Sequence, residues 1–520
     1  MSAHAPLAAL TGFAGHAGVV VVALLAAAAV LAPPPRVRAA AMLGALLLTP
    51  ALLLAHIWDT PQIEPLRGRP LVFAAGAVVA LAAVGAAAYG LHRRPRLFPV
   101  LAVAAVPFRV PIESGGATVN LLVPLYFVIG AGALAWLVPR LRAGGPAAER
   151  DRPPALAWAL MGLVVLYAVQ ASYGPAFSKA LEQVVFFYVP FAILFALLAR
   201  VRWDRTLAVR CFGVLVGLAL AFAAIGFVEY ATREVLFNPK VIRTNQFASY
   251  FRVNSLFFDP NIYGRFLDVA MIALTAALLW AARRRDVLLA ALALAVLWGA
   301  LLTTLSQSSF AALLAGLAVL AALRYSVRAT AAVVLAGAVV ALAFVLLAPG
   351  VLGLESLGPE RLNEISTGRV DLVEGGAELF ADRPAQGWGA GSFSDAFEAQ
   401  DKGSASQAVS ASHTIPLTVA AEQGAAGLVL YLAVVVLALV ALLRGAGASP
   451  ARAAVGAAFC ALLVHTLLYA AFLEDPMTWT LLGVGLGLVG AQRAGAREAE
   501  RAARRTRAGA PREPAGAPAG

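Results

Sequence analysis

The sequence predicts an all-α polytopic membrane protein with about 14–15 transmembrane helices and a large, partly helical extracytoplasmic loop. Two observations carry that prediction. The chain of 520 residues is 61% hydrophobic and only 13% charged. Its apolar residues are gathered in runs of roughly 17–25, the length an α-helix needs to cross about 30 Å of hydrocarbon. A soluble protein can surround one or two such helices with apolar neighbours, but not a dozen.

In chain order the runs lie near 18–32, 38–56, 70–91, 97–112, 119–138, 155–172, 183–199, 207–230, 263–282, 287–304, 309–324, 329–348, 424–443, 453–471 and 477–492. The fourth is short and contains prolines, so a re-entrant or half-span there, and fourteen spans in all, is the alternative. These runs divide the chain into N-terminal helices (1–230), a central region (231–443), C-terminal helices (444–492) and a basic tail (493–520).

The net charge of +12 does not mark a nucleic-acid binder, because the basic residues sit in short clusters between apolar runs. Arg36 and Arg38, Arg93 with Arg94 and Arg96, Arg200 to Arg205, and Arg283 to Arg285 are such clusters. Cytoplasmic loops carry this excess. With the N-terminus outside and the sides alternating, most of the 40 Lys and Arg fall inside, while Lys179, Lys240 and Lys402 fall outside. The Arg-, Ala- and Pro-rich tail then reads as a disordered cytoplasmic end touching anionic membrane lipid. Cys211 and Cys460 both lie within apolar runs and fit neither a disulfide frame nor a metal site. The N-terminus lacks a basic region ahead of its first run, which therefore reads as a retained span.

Two outside segments are long, 231–262 and 349–423, and long loops in a compact fold are commonly functional. In the second, Leu372, Ala377, Leu379 and Phe380 recur at helical spacing. Three constellations stand out. "YFRVNSLFFDPNIYGR" supplies Arg252, Asp259, Asn261 and Arg265 at the lipid boundary. The bland reading is an interfacial anchor and turn; the functional one is two planar guanidiniums receiving a phosphorylated headgroup. "ISTGRVDLVEGGAELFADRPAQGWGAGSF" offers Ser366 or Thr367 as a helix cap, Arg369 in the first turn, and a glycine cluster that turns the backbone tightly. That cluster is no dinucleotide fingerprint, since no strand precedes it. "SASHTIPLTVAAEQGAAGL" sets His413 at the membrane mouth with Glu422 nine residues on. A neutral imidazole there can take a proton from a sugar hydroxyl. His4, His16, His56, His92 and His465 read as surface or packing residues, and Ser306–Ser309 as a tight hairpin turn. No phosphate-binding loop, zinc spacing or nucleophile elbow is present.

Taken together, "DPNIYGR" with Arg252, "TLSQSS", "STGR" with "ADRPAQGWGAGSF", and "SHTIPLTVAAEQGAAGL" resemble the O-antigen ligase/O-antigen polymerase family of bacterial membrane glycosyltransferases, in order and spacing over roughly 251–431. The resemblance implies a membrane glycosyltransferase-type fold in the bacterial inner (plasma) membrane, its active face extracytoplasmic and its C-terminus cytoplasmic. It implies a glycan donor on undecaprenyl diphosphate and a lipid- or glycan-linked acceptor, in lipopolysaccharide or exopolysaccharide assembly. No cofactor and no metal are implied, and inversion at the sugar is expected. Arg252 and Arg369 would neutralise the diphosphate with help from Arg265, and His413 would be the base, with Glu422 holding it; Asn261 and Asp259 would line the site. The family often has Ser-Arg where this chain has Ser306-Gln307, which tilts the reading slightly from ligase to polymerase.

A transporter of lipid-linked oligosaccharide or polysaccharide is the alternative from another class. It would place ionisable residues mid-membrane along a pathway, whereas Glu229 and Asp268 lie near outer ends here. An inactive envelope scaffold is the third.

Overall fold

The computed structural model describes residues 5–58, 67–114, 117–142, 153–236, 239–247, 250–347, 369–399, 414–469 and 471–508. The chain is built from helices: α1 (Ala5–Leu31), α2 (Pro35–Ile57), α3 (Pro70–Arg93), α4 (Leu97–Ala105), α5 (Val123–Arg142), α6 (Ala155–Ala171), α7 (Phe177–Gln183), α8 (Val189–Leu198), α9 (Arg205–Thr232) and α10 (Pro239–Phe247). They continue with α11 (Pro260–Leu279), α12 (Arg284–Thr304), α13 (Gln307–Arg324), α14 (Val327–Leu347), α15 (Arg369–Asp382), α16 (Phe393–Ala399), α17 (Ile415–Leu443), α18 (Pro450–Leu468) and α19 (Pro476–Ala508). Among the described residues the exception is an antiparallel hairpin, β1 (Val110–Ser114) with β2 (Ala117–Leu121). Among the described residues eleven helices are long and apolar enough to cross a membrane by length and composition, and Ala155–Ala171 and Val327–Val340 are shorter apolar ones.

Two sequence expectations are corrected. The run 97–112 does not form a full span. α4 has nine residues, or roughly 13 Å of helix, and the chain then turns into the hairpin. Pro107 removes a backbone donor just where the helix would continue. The tail is also not disordered from residue 493, because α19 runs unbroken to Ala508. Ala, Glu and Arg are good helix formers, and a helix already nucleated in the bundle adds them at little cost.

Consecutive long helices run antiparallel, so their connections collect at two ends. At one end helices finish against arginines. Arg200 donates from Nη1 to Ala196 O (2.6 Å) and from Nη2 to Val30 O (2.9 Å). Arg452 donates to Arg444 O (2.7 Å) and Gly445 O (3.1 Å). Arg38 donates to the carbonyls of Ala32 and Pro33. The last carbonyls of a helix lack intrahelical partners, and the helix dipole is negative there, so cations settle at these turns. Asp204 caps the start of α9 at the same end, accepting from Leu207 N at 2.8 Å.

Between α7 and α8 the helix widens into a π-turn, Val184–Tyr188. Its cause is Pro190, which has no N–H to give and would crowd the carbonyl four residues back. That carbonyl, of Phe186, accepts instead from Tyr126 Oη at 2.8 Å. α19 packs on α8 through glycine: a Cβ at Gly483 would lie 3.2 Å from Phe195 O and 2.9 Å from Leu198 Cβ. Small residues permit such close contact between membrane helices. Gly483→Leu is therefore expected to lower the Tm of the detergent-solubilised protein, by overpacking worth about 1–3 kcal/mol; an unchanged Tm would contradict this packing.

Candidate functional site

The end of the bundle opposite the arginine-capped turns gathers the starts of α11, α13, α17 and α19 and the ends of α12 and α18. Its segments are strained. Among the described residues four non-glycine positions have positive φ, Arg233 (60°), Ser255 (51°), Leu305 (50°) and Ala471 (77°). Such backbone persists only where its surroundings enforce it, and it concentrates at functional sites.

Arg252 lies in the extended segment before α11. Its Nε donates to Thr304 O (2.9 Å), at the carbonyl end of α12, and its Nη2 donates to Asn261 Oδ1 (3.2 Å). Asn245 holds the Arg252 backbone from both sides, at 2.8 and 3.0 Å. Asp259 caps α11, accepting from Asn261 N at 2.7 Å, and Pro260 takes the first helical position. Tyr469 also hydrogen-bonds Asp259; burial first, then that carboxylate, raises the phenol's pKa.

One turn further along α11, Arg265 is 2% exposed. It forms an ion pair with Asp475, donates from Nη1 to Ala471 O (3.1 Å), and faces His465 on α18. Asp475 in turn caps α19 by accepting from Met477 N at 2.8 Å. Arg109, at the end of the α4 turn, faces Asp475 and Arg265 electrostatically; burial lowers its pKa, and Asp475 partly opposes that shift. A narrow crevice lined by Val106, Pro107, Phe257, Ile262, Phe266 and Met477 opens between Arg109 and Asp475.

The glycine segment forms the second half. Gly387, Gly389 and Gly391 all have positive φ (68°, 101° and 75°), which only glycine adopts freely. A Cβ on Gly387 would collide with the Glu422 carbonyl. The loop is laced to the start of α17: Trp388 N donates to Ala421 O (3.0 Å) and Gly389 N to Glu422 O (2.9 Å). The Glu422 carboxylate, buried, accepts from Gly391 N (3.0 Å) and Phe393 N (3.1 Å). α17 itself bends at Gly424, where φ is 65° and ψ is −164°. Gln170 on α6 ties both strands of this clasp, donating to Gln386 O (3.2 Å) and Gln423 O (3.1 Å). α15 lays Leu372 and Leu379 against Phe393 and Phe397, while Ala377 points outward and Phe380 is half-buried.

A tyrosine pair joins the halves. Tyr167 and Tyr188 meet edge to face at 4.9 Å; Tyr188 donates to Glu474 Oε1 at 3.1 Å, and Tyr167 lies within the field of both Glu422 and Glu474. Burial pushes the Glu474 carboxyl above the ordinary range.

The structure thus brings Arg252, Asp259, Asn261 and Arg265 together, and sets Glu422 in the neighbouring clasp, where both its oxygens hold backbone. Arg369 is the first residue of α15, as the "STGR" reading expects. Ser366, Thr367 and His413 lie outside the described residues. The sequence reading missed Arg109, Tyr469, Glu474 and Asp475. It also took His465 for an ordinary packing residue, whereas His465 is fully buried between Arg265 and the serines of the α12–α13 turn. The one available signal was the acidic pair of "LEDPM", isolated between the last two apolar runs. Among the described residues, no group of three His, Cys, Asp or Glu is placed to hold a metal ion.

The ion pair makes a testable demand. Asp475→Ala leaves the Arg265 guanidinium buried without its carboxylate, a loss of about 3–5 kcal/mol. The double variant Arg265→Met/Asp475→Leu should recover much of that stability, read as Tm in detergent; equal destabilisation of single and double variants would refute it.

No curated protein matches the chain. Residues 292–432, from α12 to the middle of α17, match a family model described as O-antigen ligase. They include the serine turn, Arg369, the glycine clasp and Glu422, while α11, α18 and the α18–α19 loop lie beyond the matched segment. Over those residues the chain is similar to the O-antigen ligase family.

Proposed function

We propose that the protein transfers a glycan from undecaprenyl diphosphate to a hydroxyl of a lipid- or glycan-linked acceptor, on the extracytoplasmic face of the bacterial inner membrane, with the C-terminus cytoplasmic. The observation that carries this reading is the gathering of three guanidiniums, Arg109, Arg252 and Arg265, at one end of a membrane bundle beside an apolar crevice. A polyprenyl diphosphate presents that combination of charge and hydrocarbon.

In the proposed reaction the acceptor oxygen bonds to the anomeric carbon as the bond from that carbon to the diphosphate oxygen breaks. The sugar inverts, the acceptor proton passes to His413, and the lipid diphosphate departs as an anion. No metal takes part. Guanidiniums stabilise the leaving group because negative charge grows there in the transition state. Arg252 suits this role: it spends Nε and Nη2 on the protein, and no described group engages its Nη1. Arg369 is assigned the same role from its motif position. Arg265, bound to Asp475, sets the floor of the site. Glu422 holds the glycine clasp, through which it would orient the segment carrying His413. Gln307 is exposed at the start of α13, so a cation absent at that position lowers the charge of this same end; that keeps the slight tilt toward polymerase.

A transporter of the same lipid-linked glycan has one observation in its favour. Asp268, in the span α11, is 2% exposed, and neither carboxylate oxygen has a hydrogen-bond partner among the described residues. One assay separates the two readings. Purified protein in lipid, given a lipid-linked oligosaccharide and acceptors, should release undecaprenyl diphosphate. Arg252→Ala, Arg369→Ala and His413→Ala should each reduce that release by about 100-fold or more, the scale of a lost transition-state donor or base. Full activity in all three would sink the assignment, and movement of the glycan across the bilayer without release would favour the transporter.

A further inference from the structure

Two of the site's guanidiniums sit on different segments, yet a continuous line of side chains runs between them. Arg265 directs both Nε (3.2 Å) and Nη2 (3.0 Å) at Nδ1 of His465. A guanidinium can only donate, so Nδ1 is an acceptor and carries no proton. The neutral ring then bears its proton on Nε2, which lies 3.3 Å from both Ser308 Oγ and Ser309 Oγ. The imidazole also hydrogen-bonds the Asn261 backbone. Ser309 Oγ is 2.9 Å from Ser306 Oγ, and Ser306 donates to Asn261 Oδ1 at 2.8 Å. That oxygen is the one Arg252 Nη2 reaches at 3.2 Å.

One direction of donation satisfies every link along the line. Starting at Arg265, each group donates to the next, until Asn261 Oδ1 accepts from Ser306 on one side and Arg252 on the other. Ser306, Ser309 and His465 are all fully buried, where such chains reinforce one another and a broken link is costly. Gly264 permits the line to form: a Cβ there would collide with Ser309 Oγ. We propose that His465 is a positioning residue, which through Ser309, Ser306 and Asn261 couples Arg265 to Arg252 so that the two guanidiniums present themselves to the donor's diphosphate as one unit. The functional half of this inference rests on the glycosyl-transfer reading above. With Nδ1 taken by Arg265 and its only proton, on Nε2, held among the serines and the Asn261 backbone, His465 is not the base. A residue that merely filled space here would be replaceable by leucine.

The test has two arms. First, the nitrogen NMR spectrum of protein carrying labelled histidine, in lipid, with the His465 signals among the six histidines assigned by their loss in His465→Gln. A single neutral tautomer, protonated at Nε2, is expected; an imidazolium or an Nδ1-protonated ring would overturn the chain. This arm answers whether or not the protein turns over. Second, kcat and KM for undecaprenyl diphosphate release. His465→Gln, whose amide both accepts and donates, should stay within a few-fold of wild type. His465→Leu and Ser309→Ala should lose about tenfold or more, in kcat rather than KM. In an Arg252→Lys background, where the fork is already gone, the same substitutions should cost no more than about threefold. Equal losses in both backgrounds, or wild-type kcat in His465→Leu, would overturn the coupling. If His465→Leu does not fold, Ser309→Ala carries the cycle. If wild type releases no undecaprenyl diphosphate, the glycosyl-transfer reading falls and takes the functional coupling with it, while the spectrum still decides the chain.

Discussion

The buried pair of Arg265 and Asp475 is the contact on which this end of the molecule depends. A guanidinium 2% exposed inside a membrane protein is tolerable only with a carboxylate and further acceptors around it. Here Asp475, Ala471 O and His465 Nδ1 supply them. Because these partners come from the loop before α19 and from α18, satisfying one charge fixes α11 against both. The same carboxylate starts α19 through Met477 N, and the strained backbone at Ala471 follows from presenting its carbonyl to Arg265. Electrostatics therefore sets the geometry of a region that apolar packing alone would leave free to slide.

The glycine clasp solves a different problem. A polar loop must be held closely against α17 with its N–H groups satisfied. Three glycines at positive φ let the backbone lie flat on the start of α17, and Glu422 pays for the arrangement by accepting two of the loop's N–H groups. The Tyr167–Tyr188 pair lies where the π-turn forced by Pro190 ends, so the distortion of one helix reaches both the clasp and the acidic loop. The two ends of the bundle use arginine in contrasting ways. At one, arginines close helix C-termini and are consumed by structure. At the other, they converge from separate segments.

Much of the architecture was legible because it follows from length and hydropathy. The helix starts at Pro35, Pro70, Pro260, Pro450 and Pro476 coincide with prolines, whose missing N–H is harmless there. The half-span at 97–112 was ambiguous because its apolar residues continue past the proline that ends the helix. Within the candidate site, the residues legible from sequence were those set in polar segments: Arg252, Asp259, Asn261, Arg265, and the glycines. Arg109, His465 and Asp475 were not, because each borders an apolar run and gains its meaning only from partners distant in sequence, 200 residues apart for Arg265 and His465. Glu422 was read as a group for holding His413 because sequence cannot show that both its oxygens face a loop thirty residues upstream.

The arginine-lined end of the bundle is the proposed seat of a lipid-linked diphosphate. The most direct measurement is cryo-electron microscopy of the protein in lipid nanodiscs saturated with undecaprenyl diphosphate. The account predicts diphosphate density against Arg252 and Arg109, with the first isoprene units in the crevice beside Phe257 and Phe266. Density confined to the opposite, arginine-capped end, or no ordered diphosphate at saturation, would contradict it.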